Sequence, residues 1–292
     1  MRRFQDHNPI VVFVYFLLVT VVCVLCMTPT VTLVSLAGAV ILDSVVSEKR
    51  GIGKHLRMLL IFFLLSLLNP FLYHNGVTVL FVLNDNPITL EALLYGVCAA
   101  LMVISVLYWF RSFSVIMTED RLLYVFGVFS PKLALLFSMT LRYIPLFSKQ
   151  AKRINNAQKA LGLYKEDNAI DSIRGGVRIF SALMTWGLEN GIITADSMAA
   201  RGYGVRKRTF YTIWKFGGRD LMLLLTEVVL GGIVIAGRLL KAVYFSFYPA
   251  FESAKPSPLG IATITGYTLL VLLPTILDIY EALRWKYLTS KI

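Results

Sequence analysis

The sequence predicts an all-α fold: a polytopic membrane protein with about six transmembrane helices and long helices on the cytoplasmic side between the fourth and fifth spans. Three observations predict it. Of 292 residues, 57% are hydrophobic and only 16% charged, too little charge for an ordinary soluble domain of this length. Six apolar runs approach the ~20 residues a helix needs to cross the hydrocarbon. The basic residues, finally, are distributed very unevenly between the two sides those runs would define.

The runs cover residues 10–27, 29–46, 56–73, 89–110, 219–240 and 259–282. The first follows MRRFQDHNP and is longer than a usual signal-peptide core, so it reads as a retained helix. Pro29 lies between the first two runs, where a reversal is needed and a missing amide proton costs little. Asn69 and Pro70 interrupt the third near its end, which predicts a kink there. Residues 74–88, HNGVTVLFVLNDNPI, combine a β-prone stretch with turn formers and predict a small extramembrane or interfacial segment. Small residues in SLAGAV (35–40) and GVCAAL (96–101) mark faces where helices approach closely.

With both termini in the cytoplasm, the inside segments carry two Lys or Arg before the first run, four in residues 47–57, 17 in residues 111–219 and three after the last run. The outside segments carry Arg238, Lys241 and Lys255 alone. This bias fixes the predicted orientation. The net charge of +12 does not indicate nucleic acid, because the basic residues flank apolar runs instead of alternating with exposed aromatics. Cys23 and Cys26 have CxxC spacing without a second Cys or His pair, and read, with Cys98, as buried thiols on spanning helices. His7, His55 and His74 are scattered and form no ligand set.

The chain thus divides into membrane helices at 1–110, an extramembrane or interfacial region at 111–218 and membrane helices at 219–292. Within the middle region, residues 141–162 (LRYIPLFSKQAKRINNAQKALG) read as an amphipathic helix. At about 100° per residue, Phe147, Ala151, Ile154, Ala157 and Leu161 share a face that Lys149, Lys152, Arg153, Asn156 and Lys159 avoid. Pro145 suits its first turn or a kink, and Gly162 its C-terminal cap. Taken alone, such a helix equally fits an interfacial anchor. After a predicted break at Gly175–Gly176, a second helix runs over 177–202, carrying Glu189 and Asp196 seven residues apart and so on one side. The two ends, AQKALG (157–162) and SMAARG (197–202), repeat one pattern of small residues, a terminal position and a glycine.

Arg201 stands out within the second end. Its i−4 and i−3 neighbours, Ser197 and Met198, offer no carboxylate, and Asp196, five residues back, lies about 140° around the helix. Ala199 and Ala200 keep the tip slim, and Gly202 lets the chain turn without a Cβ. Local physics leaves two readings open. The guanidinium docks into another protein, where its planar fork can hold carboxylates, or it merely settles the helix dipole, worth about 0.3–1 kcal/mol.

The combination of LRYIP, AQKALG and ADSMAARGYG, between four upstream and two downstream spans, resembles the T component of energy-coupling-factor transporters, the transmembrane subunit of prokaryotic vitamin and metal-ion importers. The likeness is most specific over residues 137–205. It implies a scaffold in the prokaryotic cytoplasmic membrane, without a cofactor of its own, whose long helices dock at their ends into two ABC-type ATPase subunits and which grips a small substrate-binding membrane subunit. By position, Ala200, Arg201 and Gly202 form the second docking motif; Ala160, Leu161 and Gly162 occupy the first, with Leu161 where the family usually has arginine. That leaves the first contact to apolar packing, or to Lys159 or Lys165 nearby. Arg142, Pro145, Gln158 and Asp196 fall in the matching stretches as supports of the coupling helices.

No GxxxxGK followed by Ser or Thr occurs, so the chain has no phosphate-cradling loop of that type. Asp43, Glu91, Glu227 and Asp278 are read as lying near span ends, unlike the mid-membrane ionisable groups of a proton relay. The competing class is a membrane-embedded enzyme acting on lipid or isoprenoid. Its paired carboxylates would have to be Glu189 and Asp196, which fit packing or pairing with basic residues better. A self-contained channel is a weaker third reading.

Overall fold

The computed structural model describes residues 4–46, 52–72, 76–83, 86–162, 169–205, 214–248, 251–253 and 257–289. After a 3-10 turn at Phe4–Asp6, its helices are α1 (Pro9–Leu25), α2 (Pro29–Val46), α3 (Ile52–Leu72), α4 (Leu90–Ile116), α5 (Glu119–Phe129), α6 (Pro131–Ala160), α7 (Ala169–Ala200), α8 (Gly218–Leu239) and α9 (Pro258–Thr289). Four of them, α2, α4, α8 and α9, are long and apolar enough to cross a membrane; α1 and residues His55–Phe71 of α3 are shorter apolar helices. The fold is all-α and polytopic. The chain forms two compact units, residues 1–122 with 214–292, and residues 123–213.

In the first unit, α1 and α8 pack in parallel with a constant offset. His7 meets Asp220 and Leu25 meets Arg238, both pairs 213 residues apart. Between them Leu18 lies against Gly231, where a Cβ would come within 3.2 Å of its side chain. Asp220 closes one end of this pairing. Its Oδ2 accepts from the Gly217 amide at 3.0 Å, the backbone half of a capping box at the start of α8. Its Oδ1 lies 2.7 Å from His7 Nδ1, a spacing at which the imidazole donates to the carboxylate. At the other end, Arg238 Nε donates to the Leu25 carbonyl at 3.0 Å.

Helix α9 joins this pair through small residues. Gly237 of α8 faces Thr263, and Gly266 faces Ile233 and Val234, so α8 and α9 run antiparallel. The Tyr15 hydroxyl donates to the Val271 carbonyl at 3.2 Å. Asp278 of α9 accepts from the Phe4 amide at 2.9 Å, which brings the N-terminal turn beside the later part of α9. Helix α2 approaches α9 at Gly38, where any Cβ would collide with Val271.

Helix α4 fastens to α2 and α3. Trp109 Nε1 donates to Ser35 Oγ at 3.0 Å, and Arg111 Nε lies 3.2 Å from the buried Asp43 Oδ1. His55 Nδ1 lies 2.8 Å from the Tyr108 hydroxyl, with the two rings stacked. The Trp109 ring also meets Tyr15 and Phe16 of α1 edge-on, at 6.0 and 6.1 Å between centroids. Gly96 lets α3 come close: a Cβ there would lie 2.7 Å from the Ser66 carbonyl oxygen and 3.4 Å from Pro70. Pro70 sits in the last turn of α3, which ends two residues later. Between α3 and α4, the segment read as interfacial pairs Val79–Leu83 with Asn86–Thr89 as an antiparallel hairpin. Thr89 then caps α4 by accepting from Ala92 N at 3.3 Å.

Cys23, Cys26 and Cys98 are free and buried. Of the carboxylates read as lying near span ends, Asp43, Glu91 and Glu227 are buried, and Glu227 departs from that reading by standing mid-helix. It is the tenth residue of α8, wholly buried, and neither carboxyl oxygen has a hydrogen-bond partner among the described residues. Its position follows from the parallel register with α1, which turns this face of α8 inward; hydropathy along one helix carries no such information.

Asp220 has backbone and side-chain donors at once and is fully buried, so Asp220→Ala removes several charge-assisted bonds together. It lowers the thermal unfolding midpoint in detergent, with a loss of about 2–3 kcal/mol. Asp220→Asn, which retains an acceptor oxygen, costs less.

Candidate functional site

The second unit contains the two long helices α6 and α7, of 30 and 32 residues. At 1.5 Å per residue each is about 45–48 Å long. Ser130 and Pro131 begin α6, with proline at the first position, where its missing amide proton costs nothing. The helix starts ten residues before the predicted 141, so Pro145 lies mid-helix and exposed; of its two expected places, the first turn or a kink, the first turn is ruled out. Helix α7 likewise starts earlier than predicted and runs unbroken through Gly175–Gly176. Neither glycine takes a positive φ. Two glycines cost a helix about 1 kcal/mol each without ending it, and the flanking apolar residues sustain the period.

The two helices touch where aromatic residues meet a glycine. Phe147 of α6 meets Trp186 edge-on at 5.5 Å and 89°, and its ring occupies the space a Cβ on Gly187 would need, 2.8 Å from Cζ. One turn away the Tyr143 hydroxyl and Thr194 Oγ1 are 2.9 Å apart, while Thr194 donates to the Asn190 carbonyl at 2.7 Å. Rising numbers in α6 meet falling numbers in α7, so the helices run in opposite senses through the contact and their C-terminal ends point away from each other. By helix rise, each end lies roughly 10–20 Å beyond the contact. Of these contact residues only Phe147 was legible, on the apolar face of the first helix. Trp186 and Gly187 share one side of α7 with Asn190 and Thr194 at helical spacing, and that spacing was the available signal.

The two ends have the same backbone. Ala160 and Ala200 are the last helical residues, Leu161 and Arg201 follow, and Gly162 and Gly202 take φ of +65° and +81°. At the end of α7, Gly202 N donates to the Ala199 carbonyl at 2.9 Å and Tyr203 N to the Met198 carbonyl at 3.0 Å. That pair of bonds is the Schellman motif, which satisfies the last carbonyls and requires a left-handed residue. At the end of α6, Gly162 N donates to the Lys159 carbonyl at 3.0 Å in the corresponding position. Each cap therefore presents the residue just before its glycine.

These presented residues are exposed. Leu161 is 73% accessible, and Arg201 is exposed with no hydrogen bond or ion pair of its side chain among the described residues. Glu189, Asp196 and Arg142 are also exposed. Gln158 is the buried residue of α6, with Oε1 unpartnered among the described residues. Lys165, the alternative cation for the first end, and the basic cluster Arg206, Lys207 and Arg208 lie outside the described residues. No group of three or more His, Cys, Asp or Glu among the described residues could hold a metal ion.

The second unit is thus a pair of long helices with one exposed apolar end, one exposed cationic end and a packed aromatic contact between the helices. Comparison with known proteins gives the class. The family model described as cobalt transport protein matches residues 3–212, and the chain belongs to that family. It is 32% identical over 112 residues to the energy-coupling factor transporter transmembrane protein EcfT of Streptococcus thermophilus, covering 38% of this chain and 42% of that one. Over 108 residues it is 32% identical to the protein of the same name from Streptococcus equi, covering 36% and 40%. Over another 108 residues it is 35% identical to EcfT 1 of Listeria monocytogenes, covering 35% and 40%. These matches span about two fifths of the relatives' length.

If Phe147 and Trp186 hold the crossing, the single variants Phe147→Ala and Trp186→Ala are not additive. A double-mutant cycle on unfolding in detergent returns a coupling of about 0.5–1.5 kcal/mol.

Proposed function

We propose that this chain is the membrane scaffold of an energy-coupling-factor importer. It passes motion from two ATP-hydrolysing subunits to a small substrate-binding membrane subunit, in the uptake of a vitamin or a transition-metal ion. ATP hydrolysis belongs to the partners. In this reading six helices, α1–α4, α8 and α9, span the prokaryotic cytoplasmic membrane, and both termini and residues 111–218 face the cytoplasm. The parallel pairing of α1 with α8 supports it, because four crossings between their starts return the chain to the same side. The Lys and Arg bias names that side.

The observation that carries the proposal is the matched pair of glycine-capped tips, one presenting Arg201 and the other Leu161. Each tip is an exposed residue on a narrow helix end, held at a set distance from the other by the crossing. Closure of two ATPase subunits around bound nucleotide would draw such tips with them and rotate α6 against α7. Arg201 is then a mechanical pin. Its guanidinium would be desolvated on docking, where loss of one partner of a charged contact costs about 2–5 kcal/mol.

The test is uptake and co-purification. Arg201→Glu inserts in the membrane as the wild type does, abolishes substrate uptake and loses the ATPase subunits on affinity purification; normal uptake by this variant refutes the pin. Leu161→Glu weakens recovery of the ATPase subunits less than Arg201→Glu, because an apolar contact at that tip forfeits less than a desolvated cation. The opposite ranking makes Leu161 the principal anchor.

A further inference from the structure

The end of α8 carries a feature that docking does not use. Helix α8 finishes with the same pair of backbone bonds as α7. In α8, Lys241 N donates to the Arg238 carbonyl at 3.1 Å and Ala242 N to the Gly237 carbonyl at 2.9 Å. The left-handed position of that turn, glycine in α6 and α7, is here Lys241, with φ of +54°. It is the one non-glycine residue with positive φ among the described residues. A side chain at such a position is strained, and residues of this kind cluster at binding sites, which draws attention to the surroundings of Lys241.

The Lys241 side chain borders a cleft of about 400 Å³ between the ends of α1 and α8, in the size range of ligand pockets. Its lining includes the apolar residues Val22, Leu25 and Ile235 and the polar residues Arg238, Lys241 and Tyr244. Arg238 is pinned in plane there by bonds from Nε to the Leu25 carbonyl at 3.0 Å and from Nη1 to the Val243 carbonyl at 3.5 Å. A guanidinium has five N–H donors, and two suffice to fix its orientation. Tyr244 adds a ring with one apolar and one polar end, the side chain that favours the membrane–water boundary. Only Arg238, Lys241 and Lys255 of the 29 basic residues lie in the segments assigned to the outside, and two of these three meet at this cleft.

We propose that the cleft binds an anionic phospholipid, with the headgroup phosphate between Arg238 and Lys241 and part of an acyl chain along Val22, Leu25 and Ile235. Paired cations above apolar walls, at the end of two apolar helices, complement a phosphate ester joined to a hydrocarbon chain. A free phosphate ion would have no use for the walls. The site rests on the chain being a membrane protein and is independent of the role proposed for Arg201.

The test reconstitutes the full chain in nanodiscs of phosphatidylcholine, alone or with phosphatidylglycerol, and reads the unfolding midpoint and the lipid retained in native mass spectrometry. Binding to the folded state raises the midpoint when phosphatidylglycerol is present. Lys241→Gly, which suits the left-handed backbone, unfolds in phosphatidylcholine no earlier than the wild type. It nevertheless loses most of the rise and retains phosphatidylglycerol about fivefold less well. Arg238→Gln loses the rise as well, and Lys241→Arg keeps it. Three results overturn the proposal: a full rise in Lys241→Gly, no rise in the wild type, or an equal rise when inorganic phosphate is added to phosphatidylcholine discs.

Discussion

The parallel pairing of α1 with α8 is the constraint on which the first unit depends. It joins segments 213 residues apart at both ends, through Asp220 on His7 and Arg238 on the Leu25 carbonyl. Parallel neighbours cannot be joined by a short turn, so the intervening helices must carry the chain back to its starting side. That requirement orders the rest: α2 and α4 descend together, α3 fills the return between them, and α9 closes on α8 through glycines. The polar contacts lie at the two ends of the pair, and between them stand Leu18, Gly231 and the aromatic group around Trp109. Bonds at the ends fix register, while packing between them supplies most of the burial.

A left-handed residue ends α6, α7 and α8 alike. In α6 and α7 a glycine takes the left-handed position, and the residue before it is pushed outward as a narrow tip. In α8 a lysine takes that position, and it lines a cleft. One backbone solution to the unsatisfied carbonyls of a helix thus leaves an exposed leucine, an exposed arginine or a lysine beside a cleft, according to which side chain stands where. The crossing of α6 and α7 sets how such points can be used. Gly187 admits the Phe147 ring and brings the helices close at one place.

Buried polar groups in the first unit follow two rules. Asp43 and Asp220 are paired with Arg111 and His7, and Asp220 also receives backbone donors, so their burial is compensated. Glu227 is buried at the depth of Tyr15 with neither oxygen bonded among the described residues. A carboxyl placed so costs stability unless it is neutral or finds a donor. Its burial on the α1 side of α8 comes from the same register that satisfies Asp220, two turns away.

Composition, the length of the apolar runs and the placement of Lys and Arg were enough to establish an all-α polytopic membrane protein, with long helices in the stretch that proves to lie between α4 and α8. Glycines at 162 and 202 were legible as helix ends, because a left-handed cap follows from the absence of a Cβ. Length and partners along the helices were not legible. Pro145 has the local signs of a start or a kink and Gly175–Gly176 those of a break, yet α6 and α7 pass through both; for α7 the flanking apolar period outweighs a cost of about 1 kcal/mol per glycine. Which residues meet across 50 or 213 positions depends on three-dimensional register, to which a one-dimensional pattern is blind. His7, scattered in the sequence, is therefore the partner of Asp220; Gly187 is the seat of Phe147; and Glu227 is interior. The sequence by itself determined which segments are helices and which side chains stand at their tips, since those follow from local sterics and hydropathy. Only the tertiary structure decided which faces pair, because a face is chosen by its neighbour.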